Sequence, residues 1–322
     1  MLIKYKPNYL YDVHSHTTRS DGMDTPKELI DNAVRIGMKT VAITDHDINP
    51  PKYIKIDGKK YNIRDYAHQK KINLVLGDEF STDTHVDDVH IVGYELDWEH
   101  PSFKAEVKRA RNSKSEAYRK LCEVLSEHGM PIDYENEILK YEDENGVKQT
   151  RSQDDVERKY IFEKMAEKEY ANTWEDAKIL VRDNPKLNVR RPKIDPLEAV
   201  DLIHECGGIA VLAHPYLIDK EVEPKGLGKM SRFEYIERLI DKGLDGIEAR
   251  YTYDKTSYKG EKSPKEIEKE VRNRYGDRLK ISGGSDYHAG HKKGIKNPRR
   301  LGDAGINFKE FEILFADLIE II

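Results

Sequence analysis

The stretch LYDVHSHTTRSDGMDTPKELIDNAVRIGMKTVAITDHD, Leu10 to Asp47, decides the fold. Leu10 to Val13 reads as a short strand, and the helix from Pro26 to Ile36 is started by Thr25 as cap and Pro26 in its first turn. Gly37 ends that helix, and Thr40 to Thr44 forms a second apolar strand. Strand, helix and strand in this order make a βα unit of a parallel sheet. The same pattern recurs downstream: candidate strands run from Asn73 to Leu76, Val89 to Tyr94, Ile209 to Ala213, Gly246 to Ala249 and Lys280 to Ser282. Another helix, Pro196 to Glu205, is capped by Asp195 and ends near Gly207. With seven candidate strands, the expected class is α/β, and a barrel is within reach.

One region breaks the alternation. From about Trp98 to Arg191 no strand is expected, while Phe103, Val107, Ala110, Ala117, Leu121, Val124 and Leu125 are spaced for one face of a long helix ending at His128-Gly129. This predicts a helical insertion, residues 98–195, in a barrel made of residues 1–97 and 196–322. The long helix also carries Lys104, Lys108, Arg109, Arg111, Lys114, Arg119 and Lys120. Such a row reads first as a solvated face and second as a phosphate-attracting rim.

The histidines and acids gather at the strand ends. His14 and His16 follow the first strand two residues apart, so both imidazoles can reach one ion. The second strand ends in Thr44-Asp45-His46-Asp47, the third in Gly77-Asp78-Glu79, the fifth in Ala213-His214-Pro215 and the seventh in Gly283-Gly284-Ser285-Asp286-Tyr287-His288. The fourth opens with His90. In a parallel barrel the C-terminal strand ends share one mouth, where active sites are built. Imidazoles and carboxylates without thiolates suit Zn, Mn or Fe, and there are more of them than one ion needs, so two or three divalent ions are expected.

Bulk properties narrow the classes. The 322 residues are 36% charged with a net charge of −5, which disfavours a chain-wide nucleic-acid surface. Cys122 and Cys206 lack CxxC spacing, so neither a disulfide framework nor a thiolate site is indicated. No apolar leader opens the sequence and no run of eighteen apolar residues occurs, so the expectation is a cytoplasmic protein without membrane spans.

The succession of HxH, Ser20-Asp21-Gly22, TDHD, GxE, VHIVGY, AHP and GSDxH resembles the PHP (polymerase and histidinol phosphatase) family of phosphoesterases over residues 10–97 and 196–290. The resemblance implies a distorted (β/α)7 TIM-like barrel with up to three metal ions. It implies nine ligands: His14, His16, Asp21, His46, Glu79, His90, His214, Asp286 and His288. On the same analogy His14, His16, Glu79 and Asp286 hold one ion, and Glu79 bridges to a second held by His90 and His214. Asp21, His46 and His288 hold the third. The insertion, with Val156 to Met165, Thr173 to Ala177 and Val189 to Pro192, is similar to the helical cap of the subgroup that dephosphorylates nucleotides or trims RNA from its 5′ end. In that subgroup an arginine at the Arg158 position reaches the phosphate and a histidine commonly follows two residues later; here Tyr160 stands in its place.

These readings predict a metal-dependent phosphoester hydrolase that acts on a phosphorylated nucleotide, such as a 3′,5′-bisphosphate or a nucleoside monophosphate. A metal-bridging hydroxide would attack phosphorus in line. Arg158, with Arg19 as a weaker candidate, would orient the phosphate, and Asp45 and Asp47 would support imidazoles or water. The rival activities are a 5′ to 3′ exonuclease on short RNA or DNA, histidinol phosphate hydrolysis, and a non-catalytic metal-binding regulatory module. His68, His85, His100, His128, His204 and His291 read as surface or packing residues. Arg190 and Arg191 read equally as phosphate contacts or ion-pair partners, and Tyr251 and Tyr253 as packing residues or base-stacking rings.

Overall fold

The computed structural model describes residues 5–143, 146–153, 156–256, 258–289 and 297–321; His291 lies outside the described residues. The chain divides into two compact units, Met1–Val107 with Ile194–Ile322, and Lys108–Lys193.

The first unit is built on one sheet whose strands follow one another in chain order: β1 (Tyr11–Asp12), β2 (Thr40–Ile43), β3 (Asn73–Ser81), β4 (His90–Tyr94), β5 (Ile209–Leu212), β6 (Gly246–Arg250) and β7 (Lys280–Gly283). The first and last strands meet near one end, where Ser15 pairs with Tyr287 in parallel. There the Asp286 amide donates to His14 O at 2.9 Å and the His16 amide to Tyr287 O at 2.8 Å. The sheet therefore wraps into a nearly closed seven-stranded barrel.

The all-parallel expectation fails at one strand: β4 runs antiparallel to both β3 and β5. The loop joining β3 to β4 covers only residues 82–89, too short for the crossover of a dozen or more residues that a parallel connection requires. Reversal moves the start of β4 to the mouth and pairs His90 with Ser81 at the end of β3.

Alternation sorts the side chains. Along β3, Leu74 and Leu76 pack outward with α1 (Pro26–Ile36) and α2 (Ile63–Gln69), whereas Val75 joins Ala42, Val92 and Val211 inside the barrel. Glu79 shares the parity of Val75 and is thereby carried to the inner face at the mouth. Tyr94 spans the interior, donating to Val13 O at 2.7 Å, and packs edge-on against Phe315 of the C-terminal helix, Phe308–Phe315. The α1 capping box of Thr25 and Glu28 and the left-handed Gly37 are the local signals that place that helix. Inside the unit, a hairpin of Tyr53–Ile56 and Lys59–Asn62 is inserted between β2 and α2.

The second unit has its own core, with Leu121, Cys122 and Leu125 of α3 (Pro101–Glu127) packed with Ile138, Ile161, Phe162, Met165, Ala177 and Val181. Its helices α4 (Arg158–Glu167) and α5 (Trp174–Asp183) fit the helical expectation. The expected absence of strands does not hold, because Lys140–Glu142 and Lys148–Thr150 form a short hairpin. These segments are too polar and too short to show strand periodicity. Among the described residues, no helix is long and apolar enough to cross a membrane.

Candidate metal centre

Glu79 occupies the middle of the mouth with its carboxylate almost fully buried. Its Oε2 lies 3.1 Å from His14 Nε2, 3.0 Å from His16 Nε2 and 3.3 Å from His46 Nδ1. Its Oε1 faces the other way, 2.9 Å from both His90 Nδ1 and His214 Nε2. One carboxylate thus touches two separate sets of imidazoles, one with each oxygen.

Asp286 completes the first set, its Oδ1 3.1 Å from His16 Nε2 and 3.7 Å from His14 Nε2. The two imidazole Nε2 atoms are themselves 3.2 Å apart. A third group lies beside them: His288 Nε2 is 3.1 Å from Asp21 Oδ2, and His16 Nδ1 is 3.7 Å from Asp21 Oδ1. Among the described residues, donor atoms within 4.8 Å of one another define three clusters, His14/His16/Glu79, His16/Asp21/His288 and His46/Glu79/His90. His46 thereby falls with Glu79 and His90, and its ring lies tilted beside that of His16, the centres 4.6 Å apart.

Backbone shape delivers two of these groups. His214 follows Ala213, which faces the interior, so strict alternation would send its ring outward. Its φ of 28° turns the chain and brings the ring in. Asp286 likewise has a φ of 51°, in the left-handed region that non-glycine residues seldom adopt. Strain of this kind persists where the surroundings hold it, and both cases sit at the centre.

Several supports were not foreseen from the sequence. Glu248 of β6 is fully buried, with Oε1 2.9 Å from His14 Nδ1 and Oε2 accepting from the His214 amide at 2.8 Å. Tyr251 donates to Asp286 Oδ2 at 2.6 Å, and Arg299 pairs with the same oxygen while its Nη2 lies 3.0 Å from His288 Nδ1. A glutamate inside Gly246-Ile247-Glu248-Ala249, flanked by apolar strand residues, was a readable signal. Arg299 follows no motif and could not be found that way.

Asp45 stands apart from the imidazoles. Its Oδ1 accepts from the Thr17 amide at 2.7 Å and Ser20 Oγ at 2.6 Å, and its Oδ2 from Thr17 Oγ1 at 2.7 Å, so it holds the loop after β1. Asp47 accepts from the Ser81 amide at 2.9 Å, and Arg19 donates to Asn49 O at 2.9 Å. Tyr251 and Tyr253 are buried and offer no open ring to a base. His85 is exposed, His128 bonds Val124 O and His204 bonds Asp245. Arg158 opens α4 in the second unit, with its guanidinium 5.6 Å from the Phe162 ring centre; Tyr160 is stacked by Arg151 at 4.0 Å.

The electrostatics follow from crowding. Burial works against charge on the His16 ring, but the Asp286 and Glu79 carboxylates prevail and push it up to about 10. Burial likewise opposes charge on Glu79, yet His46, His14 and His90 hold its carboxyl well below the usual range. Asp286 is held down in the same way by His288 and Arg299. Burial keeps His90 below its ordinary value. The donor set fits divalent cations. It combines buried imidazoles and carboxylates without thiolates, and leaves Asp286 Oδ1 and His214 Nδ1 buried without hydrogen-bond geometry to any partner.

Comparison with known proteins gives the family of the chain and several relatives. The family described as PHP domain matches residues 12–183. The chain is 32% identical over 209 residues to the 5′-3′ exoribonuclease Rnm of Salmonella typhimurium, an alignment covering 64% of this chain and 65% of that relative's own length. It is 27% identical over 282 residues to the 3′,5′-nucleoside bisphosphate phosphatase of Chromobacterium violaceum, covering 86% of this chain and 87% of that one. A solved structure of a proposed metal-dependent phosphoesterase from Bifidobacterium adolescentis superposes with a TM-score of 0.66 at 22% identity, over 98% and 99% of the two chains, a likeness of fold.

Proposed function

Because the chain belongs to the PHP domain family, we propose that it is a metal-dependent phosphoric ester hydrolase whose substrate is a phosphorylated nucleotide. The observation that carries this reading is the double-sided Glu79, with His14 and His16 on Oε2 and His90 and His214 on Oε1. A carboxylate so placed suits a bridge between two cations. His14, His16, Glu79 and Asp286 would hold the first, Glu79, His90 and His214 the second, and Asp21 and His288 a third, to which the family resemblance adds His46, although its Nδ1 lies 3.3 Å from Glu79 Oε2 here. Manganese, iron and zinc all suit these donors. Bound divalent ions supply Lewis-acid activation of water and neutralise charge on the phosphoryl oxygens.

The protein's own groups prepare the site. Glu248 accepts from His14 Nδ1, which fixes the tautomer and leaves Nε2 with a lone pair turned to the centre. Tyr251 and Arg299 occupy Asp286 Oδ2 and leave Oδ1 facing the histidines. Asp45 acts one step further out, by fixing the loop that presents His16 and Asp21. Arg158 is assigned to the substrate phosphate, which a guanidinium can grip with two parallel hydrogen bonds.

Phosphomonoester hydrolysis is supported by the likeness to a nucleoside bisphosphate phosphatase along most of both chains. The second reading, stepwise 5′ to 3′ hydrolysis of short RNA, is supported by the likeness to an exoribonuclease. The buried free thiols of Cys122 and Cys206 suit the reducing cytoplasm. The deciding experiment loads the full chain with manganese, iron or zinc. Products are then followed from a nucleoside 3′,5′-bisphosphate, a nucleoside monophosphate, a sugar phosphate and a 5′-phosphorylated oligoribonucleotide. Inorganic phosphate from the bisphosphate is expected. Release of mononucleotides from the oligonucleotide alone would replace the first reading by the second, and inertness of every metal-loaded form would end both.

A further inference from the structure

The hairpin Tyr53–Ile56/Lys59–Asn62 is not needed to close the barrel or to build the metal centre. Between residues 52 and 62 it carries four lysines against one aspartate, in a chain whose net charge is −5. Lys55 pairs directly with Lys60 across the two strands, an arrangement of like charges that weakens a hairpin. Among the described residues none of Lys52, Lys55, Lys59 and Lys60 forms an ion pair, whereas Lys27, Lys104 and Lys229 each hold an acidic partner. Tyr53 and Tyr61 are 50% and 41% exposed. Lysines alone would blunt a strand edge, but exposed tyrosines do the opposite.

Register and position sharpen this. Alternation puts Tyr53, Lys55, Lys60 and Asn62 on one face, and the buried Ile54 on the other. Lys52 adds its ammonium 5.7 Å from the Tyr53 ring centre. The turn is tight, with Asp57 and Gly58 at φ 48° and 77°, so the face is a pre-formed ribbon. It follows the C-terminal end of β2 and precedes the start of α2, where the Ile63 amide donates to Lys52 O at 3.2 Å and ties its two ends together. Six residues lie between His46 of the centre and Tyr53, so at most about 25 Å of chain joins them.

We propose that this ribbon is a binding surface for single-stranded nucleic acid, with Lys55 and Lys60 on the phosphates and Tyr53 under a base. The chemistry is that of non-sequence-specific single-strand binding, where cations track the backbone and aromatic rings stack on bases. The proposal rests on the phosphoesterase reading of the adjacent centre, and its test separates the two.

Binding of a fluorescent twelve-nucleotide RNA to the full chain is measured by anisotropy in EDTA, where hydrolysis cannot contribute. Phosphate release from a nucleoside bisphosphate by the metal-loaded chain is measured in parallel. Lys55→Glu/Lys60→Glu is expected to weaken RNA binding about tenfold at low salt and to reduce the salt slope by about 1.4, two contacts at roughly 0.7 each. Tyr53→Ala should weaken it about fivefold or more and Tyr53→Phe should restore it. Phosphate release from the bisphosphate should stay unchanged in all three variants. Lys39→Glu, an exposed lysine just before β2 and outside the hairpin, should leave both measurements unchanged. Unchanged RNA binding in the double variant, equal loss in Lys39→Glu, or equally strong competition by polyglutamate of matched charge overturns the proposal. So does failure of the unaltered chain to bind RNA while it hydrolyses the bisphosphate; failure to hydrolyse any phosphoester strikes the catalytic reading instead.

Discussion

His90 Nδ1 lies 2.9 Å from Glu79 Oε1, although His90 begins its strand and Glu79 stands near the end of its own. The antiparallel course of β4 makes this contact, and it gives Glu79 a second set of partners. Removing the shared carboxylate should therefore cost more than one ion. Glu79→Gln is expected to lower bound metal by about two ions per chain and to cut phosphoester hydrolysis by on the order of a hundredfold or more. Elemental analysis of the purified variant beside the unaltered chain checks it. A variant that keeps its metal and its rate would remove the bridging assignment, and His85→Ala should change neither quantity.

Glu248 touches His14 but points away from the centre, so its contribution is orientation. Glu248→Gln should weaken metal affinity roughly 10- to 100-fold, the usual effect of losing a carboxylate behind a metal-bound imidazole. Titration with a competing chelator measures this. Arg299→Gln and Tyr251→Phe, which release Asp286 Oδ2, should each act in the same direction by about tenfold. Affinity unchanged in all three would mean that the histidines and Asp286 hold their places without help.

Proton linkage gives a third expectation. The His16 ring is held up to about 10, so at pH 8 it carries a proton that a cation must displace. Metal binding should release protons near neutrality, and affinity should climb as pH rises towards that value. Calorimetry in two buffers of different ionisation enthalpy reads the release directly. Uptake of protons, or none exchanged, would contradict the sign.

A fourth concerns close approach. A Cβ added at Gly284 would lie 2.3 Å from His14 Cβ and 2.6 Å from His14 N. Gly284→Ala must push β7 away from the HxH segment at the seam where the barrel closes. The expected result is a stability loss of about 1–3 kcal/mol in urea unfolding, together with reduced metal content. Full stability with full metal would show that the seam yields without cost.

The positions of the imidazoles and carboxylates were legible because apolar runs of four or five residues, each followed by a His or acid, mark strand ends whatever the fold. The seven strands, the first helix with its Thr25–Glu28 box and the family likeness came from that same local signal. Direction was not legible in the same way. Nothing in His90-Ile91-Val92-Gly93-Tyr94 states which way the strand points, although the short 82–89 loop was a usable hint. Arg299 was invisible because it reaches its partners across the barrel seam, from a segment with no periodicity of its own.

By itself, then, the sequence determined the kinds of donor atoms, their attachment to successive strand ends and the apolar alternation that turns Glu79 inward. These follow from local stereochemistry and burial, which act over a few residues. Only the tertiary structure decided that β4 reverses, that a φ of 28° swings His214 towards Glu79, and that Glu248, Tyr251 and Arg299 hold His14 and Asp286 in place. Those outcomes depend on which segments meet when the barrel closes, and hydrogen bonds between residues far apart in the chain leave no periodic trace in it.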